Sequence, residues 1–202
     1  PWLSSKRIEL GMCPVNAIRV AYTGELGWEL HHPIEMQNYL FDLLEKAGEP
    51  HGMKLVGARA QNWLRQEKSY RAFGTELGRD ATPLEADLPR FVDLSKDFNG
   101  KAQMEAKGIR SKCVTLLIDG PEDADPWGRE ALYDMDGNRI GRLTSGGYSV
   151  AFEKAIGMGY VKPEMAVVGT RVQVKMLDQL WNAQIVEDSP YDPKNATIRV
   201  DG

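Results

Sequence analysis

Two glutamates and two aromatic residues lie close together near the start of this sequence and could bind a planar ligand. Glu25 and Glu29 are four residues apart, and Tyr22 and Trp28 belong to the same run of eight residues. A carboxylate accepts two hydrogen bonds from adjacent N–H groups, while flat side chains pack against a ring. These residue types suit a planar heterocycle with neighbouring N–H donors. The alternative is a hairpin whose glutamates are solvated and whose aromatic residues belong to the core.

A hairpin is the element that must position these side chains. Residues 17–22 are rich in apolar and β-branched side chains, which predicts a strand. Gly24 and Gly27 predict a turn, because glycine enters positive φ without steric cost. Residues 28–30 then read as the return strand. We therefore expect two strands that present both glutamates beside the two aromatic residues.

The cysteines and histidines do not form a pattern that is typical of a metal site or a disulfide. Cys13 and Cys113 are far apart in the sequence and lack a CxxC partner, which favours two reduced thiols in a reducing compartment. No HxxxH or HxxEH pattern surrounds the histidines, so we predict no metal site. The three histidines are His31, His32 and His51.

The composition is that of an ordinary globular protein. Of 202 residues, 42% are hydrophobic and 27% are charged, and the net charge is −4. The absence of a basic excess argues against nucleic acid and against an anionic membrane surface as partners. No apolar run approaches the roughly 18 residues of a spanning helix. The chain begins with Pro1 and almost at once enters strand-like sequence, so we expect a fragment of a longer protein.

Helical patterns occur only before residue 109. Apolar residues at three- and four-residue steps predict a helix from Pro33 to Gly48, with its apolar stripe in the core. A second helix is predicted from Leu55 to Tyr70. A short third helix is predicted from Ala102 to Lys107, where Gly108 would end it.

From Lys112 onward, short segments of alternating apolar residues replace the helical pattern. Asp136-Gly137 is a strong hairpin signal between two of these segments. Short strands without helices predict a small antiparallel, barrel-like domain. The fold class is therefore α+β, with one domain over residues 1–108 and a β-barrel domain over residues 109–202.

Several motifs resemble those of the glycine cleavage T-protein (aminomethyltransferase) family. Tyr22-Thr-Gly-Glu-Leu-Gly-Trp-Glu29 is similar to the family signature, and Thr82-Pro-Leu-Glu85 is similar to its T-P-x-E element. Thr144-Ser-Gly-Gly-Tyr-Ser149 resembles its T-S-G element. The family binds tetrahydrofolate and passes it one-carbon units. The resemblance implies that Glu29 binds the pteridine, that residues 1–108 are the C-terminal portion of the folate-binding α/β domain, and that Tyr22 and Trp28 are pocket walls.

The second predicted helix resembles the family helix that carries an A-R pair and, further on, an L-R-x-E motif. Arg59 is then a candidate to bind the carboxylates of a folate tail. The alternative is an ordinary surface or salt-bridging arginine. Arg65 and Glu67 are expected to form internal ion pairs. Gln66 and Ser69 depart from the family pattern, in which an apolar residue and a glycine are frequent at these positions.

Three further segments are similar to the folate half of dimethylglycine and sarcosine dehydrogenases, which are long flavoproteins. They are Pro1-Trp-Leu-Ser4, Glu67-Lys-Ser-Tyr-Arg-Ala-Phe-Gly74 and Asp188-Ser-Pro-Tyr-Asp-Pro193. This resemblance implies an upstream FAD part in the parent protein, because no GxGxxG follows a strand in this chain. It also implies an acid/base aspartate that precedes Pro1, so we expect no catalytic residue in this chain.

The implied partners are folate, a small methylated amine and upstream domains of the same polypeptide. The implied compartment is the bacterial cytoplasm or the mitochondrial matrix. Two alternatives within enzymes stay open, an aminomethyltransferase and a related folate-dependent demethylase. A third alternative is a non-catalytic regulatory or scaffold module of the same fold.

Overall fold

The computed structural model describes residues 1–121 and 123–200, which form two compact units. The N-terminal unit contains residues 1–61 and the C-terminal segment from Asp192 onward, and the barrel unit contains residues 62–191. The division between the two units falls after residue 61, inside the helix over Ala58–Glu67. The domain boundary that we predicted near Gly108 stays a prediction.

The N-terminal unit is built on a three-stranded antiparallel sheet. The strands are β1 (Ser5–Leu10), β2 (Cys13–Ile18) and β3 (Glu29–His31), in the order β1-β2-β3. Alternate residues of β2 point to one face of the sheet and are buried there, as a period of two requires. These residues pack with Leu40 in a small core; they are Cys13, Val15 and Ala17.

The predicted strand over residues 17–22 is wrong after its first two residues. Strand β2 ends at Ile18, and residues 19–28 form a loop before β3. The backbone N–H of Val20 bonds the carbonyl of Ile18, only two residues earlier, so a tight turn at Arg19 ends the strand. The return strand is confirmed, since Glu29 pairs with Ile18. We call residues 19–28 the signature loop.

Two of the three predicted helices differ from the prediction, the first in its exposure and the second in its length. Helix α1 (Gln37–Gly48) follows a 3-10 turn over Ile34–Met36 and confirms the predicted helix. The apolar stripe of α1 was expected to lie in the core, but Phe41 and Leu44 are exposed. Within this helix, whose residues are all described, only Leu40 is buried. Helix α2 (Ala58–Glu67) is shorter at both ends than the predicted helix over residues 55–70.

Helix α3 (Lys101–Lys107) confirms the third predicted helix, and Gly108 lies at its C-cap. None of the helices in the described parts of the chain combines the length and the apolar character that crossing a membrane requires. Within the same residues, no group of three or more His, Cys, Asp or Glu side chains could hold a metal ion.

A closed six-stranded antiparallel barrel fills most of the barrel unit and confirms the predicted β-domain. Its strand order is β4-β7-β6-β5-β8-β9. Closure leaves no unpaired edge, and the side chains that point inward form the core. The strands are β4 (Lys112–Ile118), β5 (Ala131–Tyr133), β6 (Arg139–Ser149), β7 (Lys154–Val161), β8 (Arg171–Met176) and β9 (Gln179–Val186).

The glycines of the T-S-G element allow helix α2 to approach the barrel. A Cβ at Gly147 would overlap the indole of Trp63, and one at Gly146 would overlap the backbone of Pro126. The indole of Trp63 also meets Tyr148 edge to face, with 6.4 Å between ring centroids. These glycines therefore serve close packing of a helix and a loop against strand β6.

Candidate functional site

Glu29 opens strand β3 and carries a half-exposed carboxylate. Its Oε2 lies 3.2 Å from Nε2 of His31, two residues further along the same strand face. Both side chains are more than half exposed, so the pair is open to solvent. A carboxylate in this position can accept hydrogen bonds from a ligand, as the sequence predicted for Glu29.

Trp28 lies next to Glu29 and is held by a cation. Trp28 is 54% exposed, and Cζ of Arg19 lies 5.4 Å from the centroid of its ring. This distance is within the range of a cation–π interaction. The arginine thus lies against the indole, and about half of Trp28 stays accessible to solvent.

Arg19 anchors the signature loop, although its own side chain is almost completely buried. The guanidinium donates to the carbonyl oxygen of Gly27 across 3.1 Å. It also donates to the carbonyl oxygens of Ile198, at 3.1 Å, and Val200, at 3.0 Å. The loop is thereby tied to the C-terminal segment of the same unit. Sequence reasoning did not assign a role to Arg19, because its acceptors are backbone groups that leave no mark in the sequence.

Gly27 lies very close to Ala21 within the signature loop. A Cβ at this position would lie 2.7 Å from Cβ of Ala21, which is closer than two carbon atoms can approach. Gly24 is buried and has a φ of 82°, a conformation that favours glycine. Both glycines of the signature are therefore needed to shape the loop that precedes Glu29.

The four predicted binding residues all belong to the N-terminal unit. Tyr22 is half-buried in the signature loop and not in a strand, and Arg59 is exposed in the first turn of α2. Trp28 and Glu29 are adjacent at the end of the loop. Two cavities of this unit, of about 560 and 620 Å³, are lined by residues of other segments.

A buried ion pair in the barrel unit joins α2 to the residues that follow it. Nη1 of Arg65 lies 3.0 Å from Oε2 of Glu76, and both side chains are at most 2% exposed. The expected internal ion pair of Arg65 is therefore present, but its partner is Glu76. Glu67 instead accepts hydrogen bonds from Oγ of Ser149, at 2.6 Å, and from the backbone N–H of Ala151, at 3.1 Å.

The carboxylate of Glu76 is saturated with hydrogen bonds. Ser145 and Thr144 each donate to its Oε1 across 2.6 Å, and Thr75 donates to its Oε2 across 2.8 Å. Burial opposes ionisation, but Arg65 and these hydroxyl donors outweigh it and lower the pKa of Glu76. Glu76 is thus a charged structural centre with no lone pair directed at solvent.

The T-P-x-E element forms a second such centre. Glu85 accepts from the backbone N–H of Thr82 across 2.8 Å and from Nε of Arg110 across 3.0 Å. Burial opposes ionisation, but the Arg110 and backbone donors outweigh it and lower the pKa of Glu85 to about 2. The nearby thiol of Cys113 has its pKa raised to about 12 by burial, so it is unreactive.

Gln66 and Ser69, which depart from the family pattern, are both buried and bonded. Nε2 of Gln66 donates to the carbonyl oxygen of Gly146 across 3.2 Å. Ser69 has a φ of 53°, a left-handed conformation that glycine adopts without steric cost. Its hydroxyl lies 2.7 Å from Oγ1 of Thr115 and accepts from the N–H of Ser189 across 3.0 Å.

Two family models match the chain. The model of the GCVT N-terminal domain matches residues 1–96, and the model of the glycine cleavage T-protein C-terminal barrel domain matches residues 112–192. The chain belongs to the glycine cleavage T-protein family. The T-protein resemblance and the α+β fold with a closing barrel, both predicted from the sequence, are therefore confirmed.

Relatives within the T-protein family include dehydrogenases and aminomethyltransferases. Mitochondrial dimethylglycine dehydrogenase of Rattus norvegicus is 39% identical over 208 residues, which cover 100% of this chain and 24% of that protein. Aminomethyltransferase of Natranaerobius thermophilus is 35% identical over 177 residues, which cover 86% of this chain and 48% of that protein.

The crystal structure of the glycine cleavage system aminomethyltransferase T from Bartonella henselae has the same fold. It matches with a TM-score of 0.78 and 27% sequence identity, over 88% of this chain and 50% of that chain. The chain spans about a quarter to a half of the length of these T-protein relatives.

Proposed function

We propose that this chain binds tetrahydrofolate and forms the one-carbon-transfer part of a flavin-dependent N-methyl amine dehydrogenase. The observation that carries the proposal is the half-exposed carboxylate of Glu29 beside the ordered, half-exposed ring of Trp28. An acceptor pair next to a flat apolar surface fits a pteridine, which has adjacent N–H donors on a planar ring. The match to dimethylglycine dehydrogenase over the whole chain supports this member of the family.

Each proposed binding residue has a role that its chemistry allows. Glu29 accepts two hydrogen bonds from the ring edge and fixes its orientation. Trp28 and Tyr22 pack on the ring and exclude water, and Arg59 binds a tail carboxylate. Tetrahydrofolate, when bound, supplies the nitrogen nucleophile that accepts the one-carbon unit. Holding two reactants in one orientation is the main contribution that such residues make.

The acid/base aspartate and the FAD site of this proposal lie in a part of the parent protein that precedes Pro1. The methylated amine, the mitochondrial matrix or bacterial cytoplasm, and the upstream domains as partners belong to the same proposal. The alternative is an aminomethyltransferase, which the structural match over 88% of the chain favours. A flavin-binding sequence upstream of Pro1 in the gene would favour the dehydrogenase, and its absence would favour the aminomethyltransferase.

The test is a calorimetric titration of the chain with 5-formyltetrahydrofolate, a stable reduced folate. Glu29→Gln removes one charged acceptor and should weaken binding by roughly 1.5–3 kcal/mol, which is about 10- to 150-fold. Glu35→Gln is the matched control, because it changes the charge equally at an exposed residue near the end of β3. Equal binding by Glu29→Gln and the unchanged chain would contradict the role of Glu29.

A chain that does not bind 5-formyltetrahydrofolate is then compared with its full-length parent. Binding by the parent alone would mean that upstream residues complete the pocket. Failure of both proteins to bind would reject folate as the ligand and would favour the non-catalytic scaffold alternative.

A further inference from the structure

A cavity of about 570 Å³ lies in the barrel unit, between strand β6 and two loops. Its volume is within the usual range for small-molecule sites. None of its lining residues belongs to the signature loop or to the first turn of α2. The lining residues that matter for binding are Thr75, Trp127, Arg129, Arg142 and Thr144.

Two arginines give the cavity an uncompensated positive charge. Arg129 and Arg142 are both exposed and both line it. Within residues 1–121 and 123–200, neither guanidinium has a carboxylate at ion-pair distance. Other arginines of this unit, such as Arg65, Arg71 and Arg110, do pair with acidic residues. Two unpaired guanidinium groups at one cavity are suited to a carboxylate or a phosphate.

The inner wall of the cavity is neutral and fixed. Thr75 and Thr144 use their hydroxyls to bond Glu76. The charge of Glu76 is in turn balanced by Arg65 at 3.0 Å. The buried carboxylate of Glu76 therefore does not cancel the charge of the two arginines at the cavity.

The backbone holds Arg129 at the cavity in a strained conformation. Its φ is 96°, which is unfavourable for any residue with a Cβ. The N–H of Arg129 bonds the carbonyl of Leu143 across 2.9 Å, and a Cβ at the preceding Gly128 would overlap the carbonyl oxygen of Thr144. The loop is thus seated tightly on β6. Strain that the surrounding structure maintains is concentrated at binding and active sites.

An aromatic platform lies beside the two arginines. Trp127 lines the same cavity, and 80% of it is exposed. Its backbone N–H is fixed by Oε1 of Glu130 across 2.8 Å. An exposed indole next to cationic groups offers a stacking surface for a planar ring.

We propose that this cavity binds a small organic anion in which a carboxylate or a phosphate is joined to a planar ring. The anion lies between Arg129 and Arg142, and the ring packs on Trp127. Two classes of ligand combine an anionic group with a planar ring in this way, aromatic carboxylates and nucleoside monophosphates. The site shares no residue with the Glu29 site, so it can exist whether or not Glu29 binds folate.

The experiment titrates the full chain with 4-aminobenzoylglutamate and, separately, with AMP, followed by calorimetry and by quenching of tryptophan fluorescence. Binding of the first probe identifies a carboxylate source, and binding of AMP identifies a phosphate source. Either result supports the proposal, provided that Arg129→Gln and Arg142→Gln each weaken binding roughly tenfold or more. Trp127→Ala should remove most of the quenching.

Arg139→Gln is the matched control, because Arg139 begins the same strand and does not line the cavity. It should bind both probes as the unchanged chain does. If Arg142→Gln does not fold, Arg142→Lys keeps the charge and should retain part of the affinity. The proposal is overturned if neither probe binds at millimolar concentration, or if both arginine variants bind as tightly as the control.

Discussion

Arg19 donates a hydrogen bond to the carbonyl oxygen of Gly27 across 3.1 Å, and this bond joins the two ends of the signature loop. The same guanidinium lies against the ring of Trp28 and bonds two carbonyls of the C-terminal segment. The buried guanidinium of Arg19 therefore holds the signature loop, which precedes Glu29, against the C-terminal segment. Its acceptors are all neutral, so the charge itself stays uncompensated by any carboxylate at these contacts.

Arg19→Met should destabilise the N-terminal unit by about 2–4 kcal/mol. The change removes three hydrogen bonds from a charged donor and leaves the buried carbonyl group of Ile198 without this partner. Urea denaturation measures the loss, and limited proteolysis should detect new cleavage within residues 19–28. Arg19→Lys keeps the charge with fewer donors, so it should fall between Arg19→Met and the unchanged chain. Equal protection of the loop in Arg19→Met would contradict the anchoring role.

Glu85 should make the stability of the barrel unit sensitive to acid. Its pKa is lowered from the ordinary 4.5 to about 2, because the donors from Arg110 and Thr82 outweigh burial. The unfolded state therefore binds more protons between these values, and the stabilisation is complete above pH 4.5 and is lost as the pH falls towards 2. The loss is on the order of 2 kcal/mol, since the side chain of Arg110 is half-exposed and screened by solvent.

Denaturation curves between pH 6 and pH 2.5 measure this dependence. Glu85→Gln should be less stable at pH 6 and should show a shallower fall across the same range. Glu105→Gln, a change at an exposed residue of α3, is the control and should keep the original slope. Parallel curves for Glu85→Gln and the unchanged chain would contradict the assignment.

Ser69→Ala should cost more stability than Ser69→Gly. Both changes remove the hydroxyl that bonds Thr115 and Ser189, and each leaves a buried group without its partner. Only glycine relieves the left-handed backbone at φ 53°. We expect a loss of about 2–3 kcal/mol for alanine and about 1 kcal/mol less for glycine, measured by urea denaturation. Equal losses would mean that the backbone strain is negligible.

Arg129→Gly should stabilise the barrel unit by about 1 kcal/mol and weaken anion binding at the cavity. Glycine adopts the φ of 96° without a steric penalty, whereas arginine does so at a cost. Arg129→Ala is the matched variant, because it removes the guanidinium and keeps the strain. Thermal unfolding should rank the glycine variant above both the alanine variant and the unchanged chain. A glycine variant that melts below the alanine variant would contradict the strain.

Elements with regular periodicity were predictable from the sequence. Strand β8 alternates between buried and more exposed residues, and Asp136-Gly137 marks a hairpin of the barrel, where Gly137 has a φ of 83°. Helix α1 was predicted from its apolar spacing, but the exposure of Phe41 and Leu44 was not. Periodicity reports which residues share a face and does not report what covers that face.

The candidate sites were predictable only where a motif carried them. Glu29 and Trp28 were proposed as binding residues through the signature, whereas the anchoring role of Arg19 was missed, because its partners are carbonyl oxygens 8 to 181 residues away. An internal ion pair of Arg65 was predicted, but its partner Glu76 was not. Long-range pairing is decided by tertiary structure, and local spacing does not contain it.

The discontinuous N-terminal unit has a consequence for synthesis on the ribosome. Arg19 and the carbonyl of Ile198 that it bonds are 179 residues apart. At translation rates of about 5–20 residues per second, Ile198 is synthesised roughly 10–35 s after Arg19. The closed barrel, by contrast, is encoded by consecutive strands and can form before the last residues emerge. The segment that carries Glu29 is therefore completed after the barrel, although it precedes the barrel in the sequence.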